Sequence, residues 1–450
     1  MTTAPVTTTL ERYAVDYRAF TTSLDGGQPS WLAGLRARAW QEFSNLGFPT
    51  ARRGNELWKY TDLRPVDRAE FRFDLAASAQ EPSLDDLKKA APWSDAWHTA
   101  VLVDGVFNPA LSNNLAGGGL TVTSLEEAIS DQRELVEPHL ATIAEFQDRP
   151  FIALNTAFIK SGVFVHIAPG AELESPVHLL NVTSAGASGR AIYPRLLIIA
   201  GENSHITLIE THISLSDGQQ LVVPVVEASL ASGSRVRHFR VQLENEKTFH
   251  IATTRVRQSD NAAFDSTSFA TGPAIGRNDV HTFLDEPGAN CTLHGLYVTN
   301  HRSQQDNEIS TTHSKPHGTS HQFYKGILAG KSRAVFSGKV YVAEGAVKTV
   351  AQQKDLNLLL SHGAEIDTKP SLEILADDVK CAHGATAGHV DRDMLFYLQS
   401  RGIGRETATA MLIAGFGSEI IDEFEPEELR DYLHSRLEEI IPQLESEGIL

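Results

Sequence analysis

The chain has 450 residues, a formal net charge of −18, an apolar content of 41% and only two cysteines, Cys291 and Cys381. Its length predicts several domain-sized units or one long repetitive unit, and its composition excludes a disordered protein. Two cysteines exclude a disulfide framework and the usual zinc modules with four cysteine or mixed cysteine and histidine ligands, and they are typical of a reducing cytoplasm.

The acidic balance excludes a protein built for non-specific nucleic-acid binding. The longest apolar stretches, such as Leu196–Ala200, are far shorter than the roughly 20 residues that span a bilayer. The segment Met1–Leu10 has no basic stretch followed by an apolar one, so it predicts no secretory signal. We therefore expect a cytoplasmic protein with neither a nucleic acid nor a membrane as partner.

Residues 1–150 are predicted to form a mixed, mostly helical region. An amphipathic helix should begin at Ser30, which can cap it, and end at Gly47. The prediction rests on apolar residues that recur at spacings of three and four, namely Trp31, Leu35, Ala39, Phe43 and Leu46.

Two further elements are predicted before residue 150. The run Ala100–Phe107 resembles a strand that turns at Asp104-Gly105, a dipeptide that favours a tight hairpin. Ser124 followed by Glu127 forms a capping-box pattern, which predicts a helix start.

Residues 151–390 contain short β-branched runs separated by turn residues, and a loose repeat runs through them. The repeat is a Gly, Asn or Asp, a small residue, any residue and an apolar residue. Successive copies start 27 to 33 residues apart, at Gly170, Asn203, Gly233, Asn261 and Gly288. A looser set follows at about half that spacing, at Gly318, Lys331, Gly345, Gly363 and Asp378.

A β-solenoid with two strands and two corners per turn accounts for both spacings. Each corner requires a residue that tolerates positive φ, followed by a small one. A single turn cannot bury its apolar face alone, so the turns must stack. The alternative is a β-sandwich with regular turns.

Residues 391–450 are predicted to form a helical domain of three short helices. The first contains Leu395 and Leu398, and the second contains Ala408, Leu412 and Phe416. The third begins at Pro426, and its apolar positions are Leu429, Leu433, Leu437 and Ile440. The acidic composition here fits a solvated face or a surface for a partner protein.

Two glycine-rich runs imitate nucleotide-binding motifs. Gly326–Ser332 has three residues between its glycines where a phosphate loop needs four, and no helix pattern follows it. Gly402–Thr407 lacks the third glycine of a dinucleotide fingerprint and follows a helix. Neither run predicts nucleotide binding, and no nucleophile-and-base motif indicates a hydrolase.

The candidate metal ligands are Cys381 and His383, in the run Lys380–Gly384. Residues two apart in a strand face the same side, so the thiolate and the imidazole should point the same way. They supply two ligands where a closed site needs about four, so a second chain would have to complete the site. The alternative is that Cys381 packs in the core, because Val379 shares its face and buried free cysteines are common.

Several runs resemble the SufB/SufD family, and together they span nearly the whole chain. Asp377–Phe424, which contains KCAHGAT and RGI, resembles the C-terminal signature of the family. Ala153–Leu173 and His313–Val342 are similar to its core, and Arg52–Leu63 is similar to its N-terminal signature. Within the family the chain resembles the SufD branch, because it has few cysteines and has KCAHGAT where SufB relatives carry an acidic segment.

The resemblance implies a mainly β fold: an N-terminal helical region, a central parallel β-helix and a C-terminal helical domain. It implies a non-catalytic scaffold for iron–sulfur cluster assembly that pairs with SufB through the β-helices and docks SufC ATPase subunits on the C-terminal helices. His383 matches a SufD histidine implicated at the SufB–SufD interface, where a nascent cluster is thought to form with a SufB cysteine. Cys381 matches a neighbouring cysteine whose role is less secure.

The resemblance implies no intrinsic cofactor. Reduced flavin is associated with some complexes of the family, but nothing in this sequence marks a flavin site. One alternative function is a SufB-like scaffold that forms homodimers. Another is a carbohydrate-active β-helix enzyme, which usually displays clustered carboxylates on one face. Here Asp377 and Asp378 are adjacent and would point to opposite faces of a strand.

Overall fold

The computed structural model describes residues 9–24, 28–52, 55–73 and 81–446. Residues 1–8 of the N-terminal segment, residues 53 and 54 of the Arg52–Leu63 motif and residues 447–450 lie outside the described residues. Among the described helices, none combines the length and the apolar character required to cross a bilayer.

Helices dominate the first part of the chain. The predicted amphipathic helix is confirmed, because Leu35, Ala39 and Phe43 are buried, and it ends at Gly47 with φ 61°. The cap differs from the prediction, since Pro29 occupies the N-cap and Ser30 is the first helical residue. The helices are α1 (Thr9–Ser23), α2 (Ser30–Leu46), α3 (Arg64–Arg68), α4 (Leu84–Ala90), α5 (Leu125–Asp131), α6 (Arg133–Val136) and α7 (Pro150–Ala157).

Strands account for most of the rest. They are β1 (His98–Val103), β2 (Val106–Asn113), β3 (Ala116–Gly117), β4 (Leu120–Ser124), β5 (Val163–Ile167), β6 (Val177–Thr183), β7 (Ala191–Ile192), β8 (Arg195–Ala200), β9 (His205–Ser214), β10 (Leu221–Val222), β11 (Val225–Leu230), β12 (Arg235–Leu243), β13 (Phe249–Gln258), β14 (Ala263–Thr271), β15 (Ile275–Leu284), β16 (Asn290–Thr299), β17 (Gln304–His313), β18 (Thr319–Leu328), β19 (Arg333–Val342), β20 (Val350–Leu359), β21 (Glu365–Ile374) and β22 (Lys380–Gly388). The chain then forms α8 (Arg392–Ser400), α9 (Arg405–Ile421) and α10 (Glu427–Ser446).

The strands form a parallel β-solenoid, as predicted. From β11 onward, successive strands alternate between two sheets, so each turn of the solenoid contributes one strand to each sheet. In the earlier turns the second sheet also contains the two-residue strands β7 and β10. The first sheet has the order β2-β1-β6-β9-β12-β14-β16-β18-β20-β22, and the second runs from β21 through β19, β17, β15, β13, β11, β8 and β5 to β4 and β3. Pairing within the solenoid is parallel from β5 and β6 onward, which excludes the sandwich alternative.

The predicted corners are confirmed where the repeat is strongest. Each lies between a strand of the second sheet and the next strand of the first, in the left-handed region: Gly170, Asn203, Gly233, Asn261 and Gly288, with φ between 53° and 73°. The looser set is only partly correct. Gly345 has positive φ, but the residues that adopt it near two other predicted corners are His317 and Gly330, one position before Gly318 and Lys331.

The first strands belong to the same two sheets as the solenoid. The predicted hairpin at Asp104-Gly105 is present, with φ 51° and 79°, and it joins β1 to β2. β1 pairs in parallel with β6, and β4 pairs antiparallel with β5. These strands precede residue 151, the start of the β-helix core that was predicted from the sequence. The two sheets therefore begin about 50 residues earlier in the chain.

Helices cover the outer faces of both sheets. α1, α2 and α7 share an apolar core with outward residues of the second sheet, such as Phe249 and Ile251. α9 and α10 share another core with outward residues of the first sheet, such as Phe239 and Phe269. The solenoid interior forms a separate apolar core. The structure thus leaves the open end of the solenoid, at β21 and β22, as its main uncovered sheet surface.

Gly272→Ala should destabilise the protein more than Gly170→Ala, a matched substitution at another corner. Gly272 has φ 108°, and an added Cβ would lie 1.9 Å from the backbone oxygen of Glu244. At Gly170, with φ 72°, an added Cβ meets nothing within 4 Å, so only the backbone penalty of about 1–2 kcal/mol applies. Thermal unfolding measures the difference, and equal melting temperatures for the two variants would contradict the packing of this corner.

Candidate functional site

Cys381 and His383 lie on β22, the last strand of the first sheet. β22 pairs with β20 along one edge, and the sheet order ends there. β21 ends the second sheet in the same way, paired with β19. Both candidate ligands therefore belong to the final turn of the solenoid, at an edge that exposes backbone hydrogen-bonding groups to any second chain.

The pairing register decides which face the two side chains share. Cys381 is opposite Ala351 and His383 is opposite Gln353. Ala351 and Gln353 are buried in the solenoid, so the period of two places Cys381 and His383 on the interior face of the last turn. No further turn covers them, and the interior face is consequently open to solvent at this position.

The two candidates differ in their surroundings. Cys381 is half-buried and packs with Val340, Ala351 and Val379, and burial raises the pKa of its thiol. His383, further along the strand, is exposed. The imidazole is therefore accessible to a partner chain. The thiol is only partly accessible, because Cys381 also packs in the core, which was the alternative to metal binding in the sequence analysis.

The site is incomplete within the chain. Among the described residues, the one group of three or more histidine, cysteine or acidic side chains close enough to hold a metal ion lies elsewhere, in the solenoid interior. Cys291 cannot complete it, because it lies on β16, three strand spacings from β22, or about 14 Å. Cys291 is also buried, which raises the pKa of its thiol to about 12.

Two other features that the sequence singled out, the adjacent aspartates and the glycine-rich run, lie outside the candidate site. Asp377 and Asp378 lie in the bend between β21 and β22 and not in a strand, and Asp378 forms an ion pair with Lys348. The run Gly326–Ser332 covers the end of β18 and the corner after it, and the strand β19 follows it where a phosphate loop would have a helix.

The structure also joins residues that spacing did not connect. His294 Nε2 lies 2.7 Å from His321 Nδ1, and His294 Nδ1 lies 2.5 Å from Glu423 Oε2. Lys325 forms an ion pair with Glu419 of α9. These contacts connect the outer face of the first sheet to the C-terminal helices. The two contacts with the C-terminal helices join residues about 90 to 130 positions apart in the chain, so no local pattern could have indicated them.

A second exposed surface lies on α8. None of its residues is buried, and it presents three large apolar side chains to solvent. Met394 is 58% exposed, Phe396 is 73% exposed and Tyr397 is 56% exposed. Solvent-exposed apolar side chains grouped on one short helix are typical of a protein-binding surface.

Comparisons with known proteins identify the family. The family described as "SUF system FeS cluster assembly, SufBD core domain" matches residues 182–416, and "SufBD protein N-terminal region" matches residues 7–179. The chain belongs to the SufB/SufD family. It is thus a SufBD-family protein of the Suf system for iron–sulfur cluster assembly, as the sequence motifs predicted.

The individual relatives favour SufD. The chain is 31% identical to the iron–sulfur cluster assembly protein SufD of Escherichia coli, over 89% of this chain and 91% of the relative. It is 32% identical to an iron–sulfur cluster assembly SufBD family protein of Synechocystis, over 89% of each chain. The SufB protein of Bacillus subtilis is 24% identical, over 86% of this chain and 85% of the relative.

In the native chain, iodoacetamide should modify Cys381 slowly and Cys291 at least ~100-fold more slowly, because the thiolate is the reactive form. A thiol with a pKa of about 12 has little thiolate at pH 8, and Cys291 is also buried. Mass spectrometry of peptides after timed labelling measures both rates. In denaturant the two rates should become equal, and similar rates in the native chain would contradict the placement of both residues.

Proposed function

We propose that the chain is a SufD-type scaffold subunit that pairs with SufB and docks the SufC ATPase, so that a nascent iron–sulfur cluster is built at the SufB–SufD interface. The observation that supports this most directly is the open end of the solenoid, where an exposed histidine and a half-buried cysteine lie on an edge strand that is paired along one side only. The family match and the 31% identity to a SufD protein support the same proposal.

Pairing through the solenoid end follows from the exposed edges. Edge strands present rows of free backbone donors and acceptors, and natural proteins usually cover or disrupt them. β21 and β22 are ten and nine residues long and end both sheets at the same place. A partner solenoid could extend both sheets at once, which makes SufB the proposed occupant of this end.

The cluster is the cargo of this interface and not a resident cofactor of the chain. His383 would contribute a neutral imidazole, and the partner chain would contribute thiolate, the usual ligand of iron–sulfur clusters. Cys381 is the less accessible donor and would act second. We assign the chain no turnover of its own and no intrinsic flavin, with ATP hydrolysis belonging to the docked ATPase.

The C-terminal helices supply the proposed ATPase surface. α8 has no fully buried side chain, and although Leu395 and Leu398 are half-buried, Met394, Phe396 and Tyr397 remain exposed and available to a partner. α9 and α10 pack firmly on the first sheet through a shared apolar core. A displacement of the docked ATPase would therefore reach the solenoid, and a stack of parallel strands can transmit it to the end that holds His383.

A SufB-like homodimeric scaffold is the second candidate function. Its supporting observation is that the chain is 25% identical to the SufD of Bacillus subtilis and 24% identical to the SufB, which does not separate the two branches. Co-expression with the ATPase alone and with both partners distinguishes the two. The homodimer requires cluster formation without SufB, and the SufD assignment requires that it depend on SufB.

His383→Ala should sharply reduce cluster formation on the assembled complex while leaving assembly intact, because the side chain is exposed and its loss leaves no cavity. The matched control is His205→Ala, a partly exposed histidine near the opposite end of the solenoid. Iron content, sulfide content and visible absorbance of the reconstituted complex measure the effect. The variant Cys381→Ser is measured in parallel, and we expect it to lose less cluster formation than His383→Ala.

A normal cluster content in the His383→Ala complex would remove the ligand role. An equal loss of cluster in His383→Ala and Cys381→Ser would show that the thiol of Cys381 is as important a ligand as the imidazole of His383.

Phe396→Asp should weaken ATPase binding at least ~10-fold without affecting folding, because an apolar side chain at the centre of an interface often contributes 2 kcal/mol or more. Val15→Asp is the matched control, since Val15 is 48% exposed on α1, away from the C-terminal helices. Titration of the ATPase subunit by calorimetry, with unfolding curves of both variants, measures the effect. Unchanged affinity for Phe396→Asp would refute docking on α8.

A further inference from the structure

The interior of the solenoid contains a polar region that the proposed function does not use. Most of the interior is apolar, but the ends of β9 and β12 and the start of β13 place charged side chains inside. We define the interior cluster as three of these residues, His212, Glu244 and His250. Their exposed fractions are 1%, 3% and 0%, so they are removed from bulk water.

The three side chains converge on one point. One ligand atom from each, an imidazole nitrogen or a carboxylate oxygen, lies within 4.8 Å of the other two. Nδ1 of His212 has no hydrogen-bond partner among the described residues. Nδ1 of His250 lies 2.7 Å from Glu244 Oε2, so it already faces the carboxylate of the cluster. Buried polar atoms usually have a bonding partner, so His212 Nδ1 is available to a bound ion.

A neighbouring carboxylate sets the tautomer of His212. His212 Nε2 lies 2.6 Å from Glu210 Oε1, so the Nε2–H group donates to the carboxylate. In the neutral imidazole, Nδ1 then holds a lone pair that no described hydrogen-bond donor occupies. A histidine that donates one N–H to a carboxylate and offers its other nitrogen is the common arrangement behind a metal ligand.

With neutral imidazoles, the groups around the cluster carry an excess of negative charge. Glu210 and Glu244 are two buried carboxylates, Arg240 is the buried guanidinium among them, and His238 Nε2 lies 3.0 Å from Glu210 Oε2. Arg240 Nη2 lies 2.6 Å from His250 Nε2, while its Nε and Nη1 have no hydrogen-bond partner. A buried net charge is costly unless a counter-charge compensates it. A bound cation would supply that charge.

Binding at His250 requires one local rearrangement. A metal on Nδ1 leaves the imidazole proton on Nε2, where it would oppose the Arg240 donor. Arg240 Nε is 4.0 Å from Glu210 Oε1, so the guanidinium can turn toward that carboxylate and release His250. This rotation of the guanidinium replaces one hydrogen bond to the His250 imidazole with a closer ion pair to Glu210.

A cavity provides access from the surface. It has a volume of ≈ 440 Å³, and its lining includes Glu244, Asn245, Ser303 and Arg436. Glu244 thus belongs both to the cavity wall and to the interior cluster. Water that enters the cavity can supply the coordination positions that three protein ligands leave open.

We propose that His212, Glu244 and His250 bind one divalent first-row transition-metal ion, Zn²⁺ or Fe²⁺, inside the solenoid. Two imidazoles and one carboxylate are the ligand set of open zinc sites and of mononuclear iron(II) sites. The site is separate from the proposed cluster site, since β12 and β22 are five strand spacings apart, about 24 Å. It does not depend on the identity of the partner subunit.

The test uses the full chain without a histidine tag, stripped with a chelator and titrated with CoCl₂ as a spectroscopic probe. The wild type should bind one equivalent with visible ligand-field bands. His212→Gln and His250→Gln should each weaken that binding at least ~10-fold. The matched control is His313→Gln, because His313 is a buried imidazole that faces the same interior, and it should bind Co²⁺ like the wild type.

Two further measurements keep the proposal open to refutation if a variant does not fold. ZnCl₂ should raise the melting temperature of the wild type, because a ligand that binds only the folded state stabilises it. Pulsed electron paramagnetic resonance of the Cu²⁺-loaded wild type should show coupling to two imidazole nitrogens. Absence of saturable binding by the wild type would mean that a proton on an imidazole balances the charge, and it would overturn the proposal. Equal binding by His212→Gln and His313→Gln would do so as well.

Discussion

The structure depends on the backbone hydrogen bonds between parallel strands of successive solenoid turns. Each strand inside a sheet satisfies its donors and acceptors with the turn before and the turn after. The chain caps the first turns with β1–β4, and it covers the outer faces with helices. At the other end of each sheet, β21 and β22 have a paired strand on one side only, as do β2 and β3 at the first end. The proposed partner surface is thus the end at which the parallel pairing of successive turns stops.

The sequence predicted the solenoid because its corners need special backbone conformations. Asn203 and Asn261 take positive φ, which few residue types other than glycine adopt readily, so they are visible as repeats. The sequence could not show that β1 joins the first sheet beside β6, because that pairing spans nearly 80 residues and follows no local pattern. For the same reason the sequence predicted a domain boundary between residues 150 and 151, although strands on both sides of that position belong to the same two sheets.

The candidate site was predictable in part. The spacing of Cys381 and His383 predicts that they share a face, since strands have a period of two. It cannot say whether the face is covered, because that depends on whether another turn follows. The interior cluster was not predictable, because His212, Glu244 and His250 come from three segments that the register alone brings together. Their spacing in the chain resembles no known metal motif.

The C-terminal helices combine two kinds of attachment, and the difference bears on function. α9 and α10 bury side chains such as Ile420, Leu429 and Leu433 against the first sheet, and each such side chain stabilises the contact by about 1.5–3 kcal/mol. The shared core contains many of them, so its total exceeds the 1–3 kcal/mol typical of coupling between sites. These helices should therefore move with the sheet as one body. α8 has no fully buried side chain, so under the proposed docking a partner would engage it without disturbing that core. A force applied at α8 would then reach the strands through α9, and the stiff stack of strands would carry the displacement to the edge where His383 lies.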